Sequence, residues 1–410
     1  MSLAVRVLML TWEYPPLVVG GLGRHVEALA RELVAAGHDV RVVTRGEAAE
    51  VVDERRDGVR VRRAALDPIA IGFTVETLLA WSQAAEHALV RAAVPLVRRW
   101  RPDVVHAHDW LVAQSAVTVA EYSRAPLVST IHATEAGRHQ GWLPAPLNRA
   151  IHSVERWLVH RSAAILTCSN AMHDETTHLF ELRPEQVSVV PNGIDANRWQ
   201  VPQAARAAMR VRFDGTGPFV VFAGRLVHEK GLQTVLDAVR PLRAKHPGLR
   251  LVVAGTGGYE AQLRERCRRL RIVRAVQWLG FVPEAQLAAV LGAADAVVVA
   301  SLYEPFGLVA LEAAAAGTPL VVSETGGLVD LVAGGVAAGS FPAGDAAALA
   351  AAVTAVLDDP DAARRASAHA ERVIRRDYTW AAVAARTAAV YVSATERIFM
   401  AESGPDRMAP

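Results

Sequence analysis

Apolar runs of strand length alternate with longer helical stretches along nearly the whole chain, and that order limits the fold more than any single residue does. A parallel strand pair needs a crossover long enough to hold a helix, so such alternation builds parallel sheets from βαβ units. In the first half the strand-like runs are Val5 to Thr11, Val40 to Thr44, Val104 to His108, Leu127 to Ile131, Ala164 to Cys168 and Val187 to Val190. Helical patterns join them, notably Gly23 to Ala36 and Val75 to Trp100. After Pro191-Asn-Gly-Ile-Asp195 and a polar, alanine-rich stretch the pattern restarts at Phe219, with further strands at Leu249, Val276, Ala296 and Pro319. With 410 residues, 52% of them hydrophobic, the chain can fill two or three cores. The expectation is an α/β protein of two Rossmann-like domains joined near residue 200.

Chemistry concentrates where strands end. Glu304-Pro-Phe-Gly-Leu-Val-Ala-Leu-Glu312 follows the apolar run Ala296 to Ala300 and leads into Gly317-Thr-Pro319. That reads as strand, loop, helix, with Gly317 and Pro319 as the helix stop. Glu304 then lies on the loop and Glu312 inside the helix. Side chains lean toward a helix N-terminus, so Glu312 can point back toward the unpaired amides of residues 306 to 308, which bind anions or hydroxyls. Two carboxylates there suit a polyhydroxylated ligand whose phosphates sit on the amides; taken alone, they read equally as complements to the helix dipole. Upstream, Phe219 to Ala223 is a buried-strand run followed by Gly224-Arg225-Leu-Val-His-Glu-Lys230-Gly231. Two cations thus occupy a glycine-bounded loop at the carboxyl end of a strand, where open α/β sheets bind ligands. Arg225 can fork onto phosphate oxygens and Lys230 supplies a compact charge.

These segments, G-R-L-x-x-E-K-G and then E-P-F-G-L-V-x-L-E-A, resemble the donor-binding signature of glycosyltransferase family 4, retaining enzymes of the GT-B fold. The likeness extends to Trp12-Glu-Tyr-Pro-Pro16, Gly20-Gly-Leu-Gly23, His106-Ala-His-Asp109-Trp110 and Thr130-Ile-His132-Ala-Thr-Glu135. Ile131 to Arg138 with Gly141-Trp142 is similar to actinobacterial glycogen-synthase-like α-1,4-glucosyltransferases, including the polymethylated glucose polysaccharide type. The resemblance implies two Rossmann-like domains around an interdomain cleft: residues 1–200 for the acceptor and 201–377 for the nucleotide-sugar donor. A helix over 378–400 would return to the first domain, leaving a disordered tail at 401–410. It also implies glucose transfer with retention from a uridine or adenosine diphosphate sugar to an α-1,4-glucan or related acceptor. The donor is a substrate, and no cofactor is implied. Transfer of another hexose to a lipid or small molecule, and a nucleotide-sugar epimerase on the same scaffold, are the alternatives.

By the same resemblance Glu304 holds donor-sugar hydroxyls, Glu312 the ribose, and Arg225 and Lys230 the diphosphate. Gly257, Phe306, Gly307 and Leu308 complete the donor set, and His132 lies against the donor sugar. Asp109, at the end of its own strand, is a second candidate in the cleft. Gly20, Gly21 and Gly23 lie between the first strand and a helix, where backbone can approach a phosphate; a plain turn or a dinucleotide fingerprint would look similar. Glycogen synthases carry a lysine two residues before this pair, where this chain has Val18. His106 and His108 share one face of a strand, but no third ligand is evident, so no metal is expected. Asp359-Pro-Asp361 matches a D-x-D formally, yet its turn-like setting between late helices reads as structural.

Charge excludes one class of partner. A formal net charge of +2, from 44 basic and 42 acidic residues, gives no case for nucleic acid. The basic runs Arg98 to Arg101 and Arg264 to Arg274 read as solvated helix faces. Cys168 and Cys267 fall in different expected domains and support neither a disulfide framework nor a metal cage. Leu3 to Leu10 is a strand interrupted by Arg6 rather than a signal peptide, so a soluble cytoplasmic protein is expected. Leu147 to Arg161 is amphipathic and reads as a packed helix in preference to a membrane-docking one.

Overall fold

The computed structural model describes residues 4–17, 20–213 and 217–402; Val18 and the stretch 403–410 lie outside the described residues. The chain divides into two compact units, one comprising residues up to 168, 172–192 and from 380 onward, the other 169–171 and 193–379.

The first unit is built on eight strands: β1 (Arg6–Thr11), β2 (Asp39–Arg45), β3 (Val52–Arg56), β4 (Val59–Ala64), β5 (Val104–His108), β6 (Leu127–Ile131), β7 (Ala164–Thr167) and β8 (Val187–Val189). Their order is β3-β4-β2-β1-β5-β6-β7-β8. All neighbours are parallel except β3 and β4, which form an antiparallel hairpin at one edge. The hairpin is absent from the sequence expectation, and the reason is physical. Its strand Val-Asp-Glu-Arg-Arg carries no apolar face, and it is held by ion pairs, Arg62 with Asp53 and Arg63 with Glu54. Charges on an edge strand also discourage further pairing. Inside the sheet β5 and β6 are buried along their whole length, polar residues included, as central strands of a parallel sheet are. The last helix, Trp380–Glu402, packs in this unit against the helix Gly21–Ala35, and its Tyr391 is wholly buried.

The second unit has six strands: β9 (Phe219–Ala223), β10 (Arg250–Ala254), β11 (Val276–Gly280), β12 (Ala296–Val299), β13 (Leu320–Ser323) and β14 (Gly339–Phe341). The order is β11-β10-β9-β12-β13-β14, all parallel. Counted from β9 this is the 3-2-1-4-5-6 order of the Rossmann sheet, and the strand order reverses between β9 and β12. Only β14 escaped the pattern reading, because three residues beginning with glycine carry too little periodicity. Its core joins Val220, Phe222, Leu226, Leu236, Leu251 and Val298, each leucine or valine contributing about 1.5–3 kcal/mol on full burial.

Several further expectations meet their structural context here. Asp359 caps the helix Pro360–Asp377 by accepting from the Ala362 amide at 2.8 Å, so the D-x-D match is a helix start. Cys168 and Cys267 are both buried, in different units. The amphipathic stretch forms the helix Pro146–Arg161 with Ile151 and Leu158 buried. Among the described residues no helix is long and apolar enough to cross a membrane.

Candidate active site

In the second unit the loops after β9 and β12 meet at the switch point. Lys230 Nζ lies 2.7 Å from Glu304 Oε2, and Ser301 donates to the same oxygen at 2.9 Å. The Lys230 side chain is 21% exposed and that of Glu304 12%, so the pair is screened from water while one side stays open. An ammonium has three donors, and those not directed at Glu304 remain available to a ligand anion. Backbone locks the two loops together, with the Leu302 amide donating to the Glu229 carbonyl at 2.7 Å. Arg225 sits on the same loop, its side chain 58% exposed and 3.5 Å from Glu229 Oε1. Phe306 is buried, Gly307 caps the helix Leu308–Ala315 with φ 107°, and Leu308 opens it. Glu312 is the fifth residue of that helix and only 5% exposed.

Two glycines explain how the loops come so close. Gly231 has φ 70°, and a Cβ there would collide with the Ala300 carbonyl at the end of β12. Gly257, after β10, would meet the Leu226 backbone in the same way. We expect Gly231→Ala to destabilise the protein by about 2–5 kcal/mol, the sum of a left-handed alanine and an overpacked backbone contact. Chemical denaturation measures it, and a change under about 0.5 kcal/mol would mean that the two strands do not approach this closely.

In the first unit the carboxyl edge of the parallel sheet gathers four histidines. His106 and His108 share a face of β5, as the two-residue period demands. His106 is satisfied at both nitrogens, Nδ1 with the Tyr391 hydroxyl and Nε2 with Thr130 Oγ1, each at 2.7 Å. His108 Nδ1 lies 3.2 Å from His132 Nε2. The third imidazole that the sequence does not reveal is His25, in the first turns of the helix Gly21–Ala35, with its ring centroid 4.7 Å from that of His132. Its Nδ1 is 2.8 Å from Asn192 Oδ1, an acceptor, so Nδ1 carries the proton. Burial pushes His132 down to about 4 and holds His25, His106 and His108 well below the usual histidine range, so all four rings are neutral at pH 7.

Asp109 follows β5 directly. Burial pushes its carboxyl up to about 7, against the pull of the His132 amide, which donates to Oδ1 at 2.7 Å. Its φ of 63° with ψ 176° is a backbone conformation that costs a non-glycine residue about 1–3 kcal/mol and tends to occur at functional sites. That bond, and the Asp109 amide donating to the Thr130 carbonyl at 3.0 Å, hold it there. Gly20, Gly21 and Gly23 lie at the start of the helix Gly21–Ala35, and a Cβ on Gly20 would meet nothing within 4 Å. The Gly20 amide donates to Glu13 Oε2 at 3.0 Å, so a carboxylate already occupies an anion-seeking position. Glu13 and His25 are the residues that the sequence reading passes over. Their only signal is proximity to the glycine run, Glu13 in the preceding Trp-Glu-Tyr-Pro-Pro and His25 two residues past Gly23.

A Rossmann sheet with an ammonium and a carboxylate at its switch point is the arrangement of a nucleotide-binding α/β enzyme. Residues 19–198 match the family model described as Glycosyltransferase Family 4, and residues 207–373 match that described as Glycosyl transferases group 1. The chain is 48% identical over 402 residues to glycogen synthase of Mycobacterium tuberculosis, covering 95% of each chain. In structure it is similar to sucrose-phosphate synthase from Thermosynechococcus elongatus, with a TM-score of 0.78 at 23% identity over 96% of this chain and 99% of that one. It is also similar to the catalytic domain of starch synthase IV from Arabidopsis thaliana, solved bound to ADP and acarbose, with a TM-score of 0.74 at 20% identity over 96% and 100%. The chain belongs to glycosyltransferase family 4. It is a glycosyltransferase of the GT-B fold.

Proposed function

We propose that the enzyme transfers glucose, with retention, from a uridine or adenosine diphosphate glucose to the growing end of an α-1,4-glucan or a related oligosaccharide. The single observation that carries this reading is the Lys230 and Glu304 pair at the switch point of the second sheet, beside the N-terminus of the helix Leu308–Ala315. An ammonium, the Arg225 guanidinium and helix amides together suit a diphosphate leaving group, and each such donor is worth roughly two to three orders of magnitude in rate. Buried carboxylates at Glu304 and Glu312 suit sugar and ribose hydroxyls. No side chain is assigned as nucleophile; the departing phosphate takes the acceptor proton on the same face. The glucosyl specificity rests on the relative at 48% identity, whose name is glycogen synthase. Transfer needs no cofactor.

The test is a panel of the two nucleotide glucoses against glycogen and maltooligosaccharides, with product anomers read by proton resonance. Chain extension through α-1,4 bonds is the expected result. An isomeric sugar nucleotide formed from donor alone would indicate an epimerase, and transfer only to lipid or small-molecule acceptors would replace the glucan reading.

A further inference from the structure

We propose that His25, His108 and His132 form a binding site for a late first-row divalent ion of the zinc class. Their ligand nitrogens all lie within 4.8 Å of one another, although they come from a helix, a strand end and a loop. His108 Nδ1 and His132 Nε2 are 3.2 Å apart. Two metal–nitrogen bonds of about 2.0–2.1 Å at a tetrahedral angle place their nitrogens about 3.3 Å apart, so this edge needs almost no movement.

The surroundings favour an ion over a mere stack of rings. His25 Nδ1 donates to Asn192 Oδ1, which leaves Nε2 with its lone pair. That is the outer hydrogen bond which fixes the tautomer and aim of metal-bound histidines. His108 is fully buried, and its Nε2 has no hydrogen-bond partner among the described residues. With Nδ1 as the ligand atom, Nε2 carries this ring's proton. Burial keeps the three rings neutral, the form that binds metal. His106 is excluded because both its nitrogens are engaged. His132 is only partly buried, so an ion reaches the cluster from its side, and three protein ligands leave a fourth position open to water. Imidazole donors select zinc, cobalt, nickel or copper over magnesium or calcium.

Metal-free full-length protein is titrated with zinc chloride by calorimetry and with cobalt chloride by visible absorption. The site predicts one tight equivalent per chain, tetrahedral cobalt bands, and no comparable uptake of magnesium. His25→Gln should weaken zinc binding at least tenfold and abolish the bands. Asn192→Ala, which keeps every imidazole, should weaken binding tenfold to a hundredfold by freeing the His25 ring. It keeps the test decisive where circular dichroism shows His25→Gln misfolded. Absence of a stoichiometric site in wild-type protein, or affinity unchanged in the folded variants, overturns the proposal.

Discussion

Alanine at Arg225 lowers kcat/KM by about two orders of magnitude or more while shifting stability by less than about 0.5 kcal/mol. The two halves of that result follow from different observations. The Arg225 side chain is 58% exposed and pairs with Glu229 at 3.5 Å, and an exposed pair of this kind holds little folding energy. Its place is the carboxyl end of β9, beside Lys230, where a ligand phosphate would draw on it. Lys230→Ala should cost a similar factor in rate and some stability too, since it removes the cation from the buried Glu304 carboxylate and leaves it the Ser301 hydroxyl. Steady-state kinetics with urea melts on both variants separate the two. Near-wild-type kcat/KM for both would remove the diphosphate clamp, and a large loss of stability in Arg225→Ala would mark that residue as structural.

Glu155→Gln should flatten the pH dependence of stability and make the protein more stable at pH 8. Glu155 lies on the helix Pro146–Arg161, only 2% exposed. Oε1 accepts from the Glu135 amide at 2.8 Å, and Oε2 has no hydrogen-bond partner among the described residues. Burial, together with the Asp109 and Glu135 carboxylates, outweighs that amide bond and Arg138, and pushes the group up to about 9. The folded state therefore keeps a proton that the unfolded chain releases near its ordinary value of 4.5. Stability tied to this proton is complete below pH 4.5 and is lost as pH rises toward 9, at up to about 1.4 kcal/mol per pH unit. Glutamine retains the acceptor for the Glu135 amide and has nothing to ionise. Thermal melts from pH 5 to 9 measure the difference between the two proteins. A wild type no steeper than the variant would show that Glu155 is ionised in the fold.

How much of this was legible beforehand depended on whether a residue's role is local. Buried parallel strands such as β9 and β12 are continuous apolar runs and announce themselves. The hairpin β3–β4 does not, because its strands are held by charges across an edge rather than by an apolar face. Arg225, Lys230, Glu304 and Glu312 stood out because glycines and helix boundaries flank them, and the fold places Lys230 against Glu304 across 74 residues of sequence. His25 had no such marker. A histidine in the first turns of a helix looks like any other until the parallel pairing of β5 with β6 brings His108 and His132 beside it.

The backbone bond from Leu302 to Glu229, the Lys230 and Glu304 contact and the bare glycine at 231 make two distant segments a single mechanical piece. Anyone seeking to transplant nucleotide-sugar preference between relatives should exchange 224–231 and 301–308 together. A chimaera carrying just one of them would inherit mismatched halves of the same clasp.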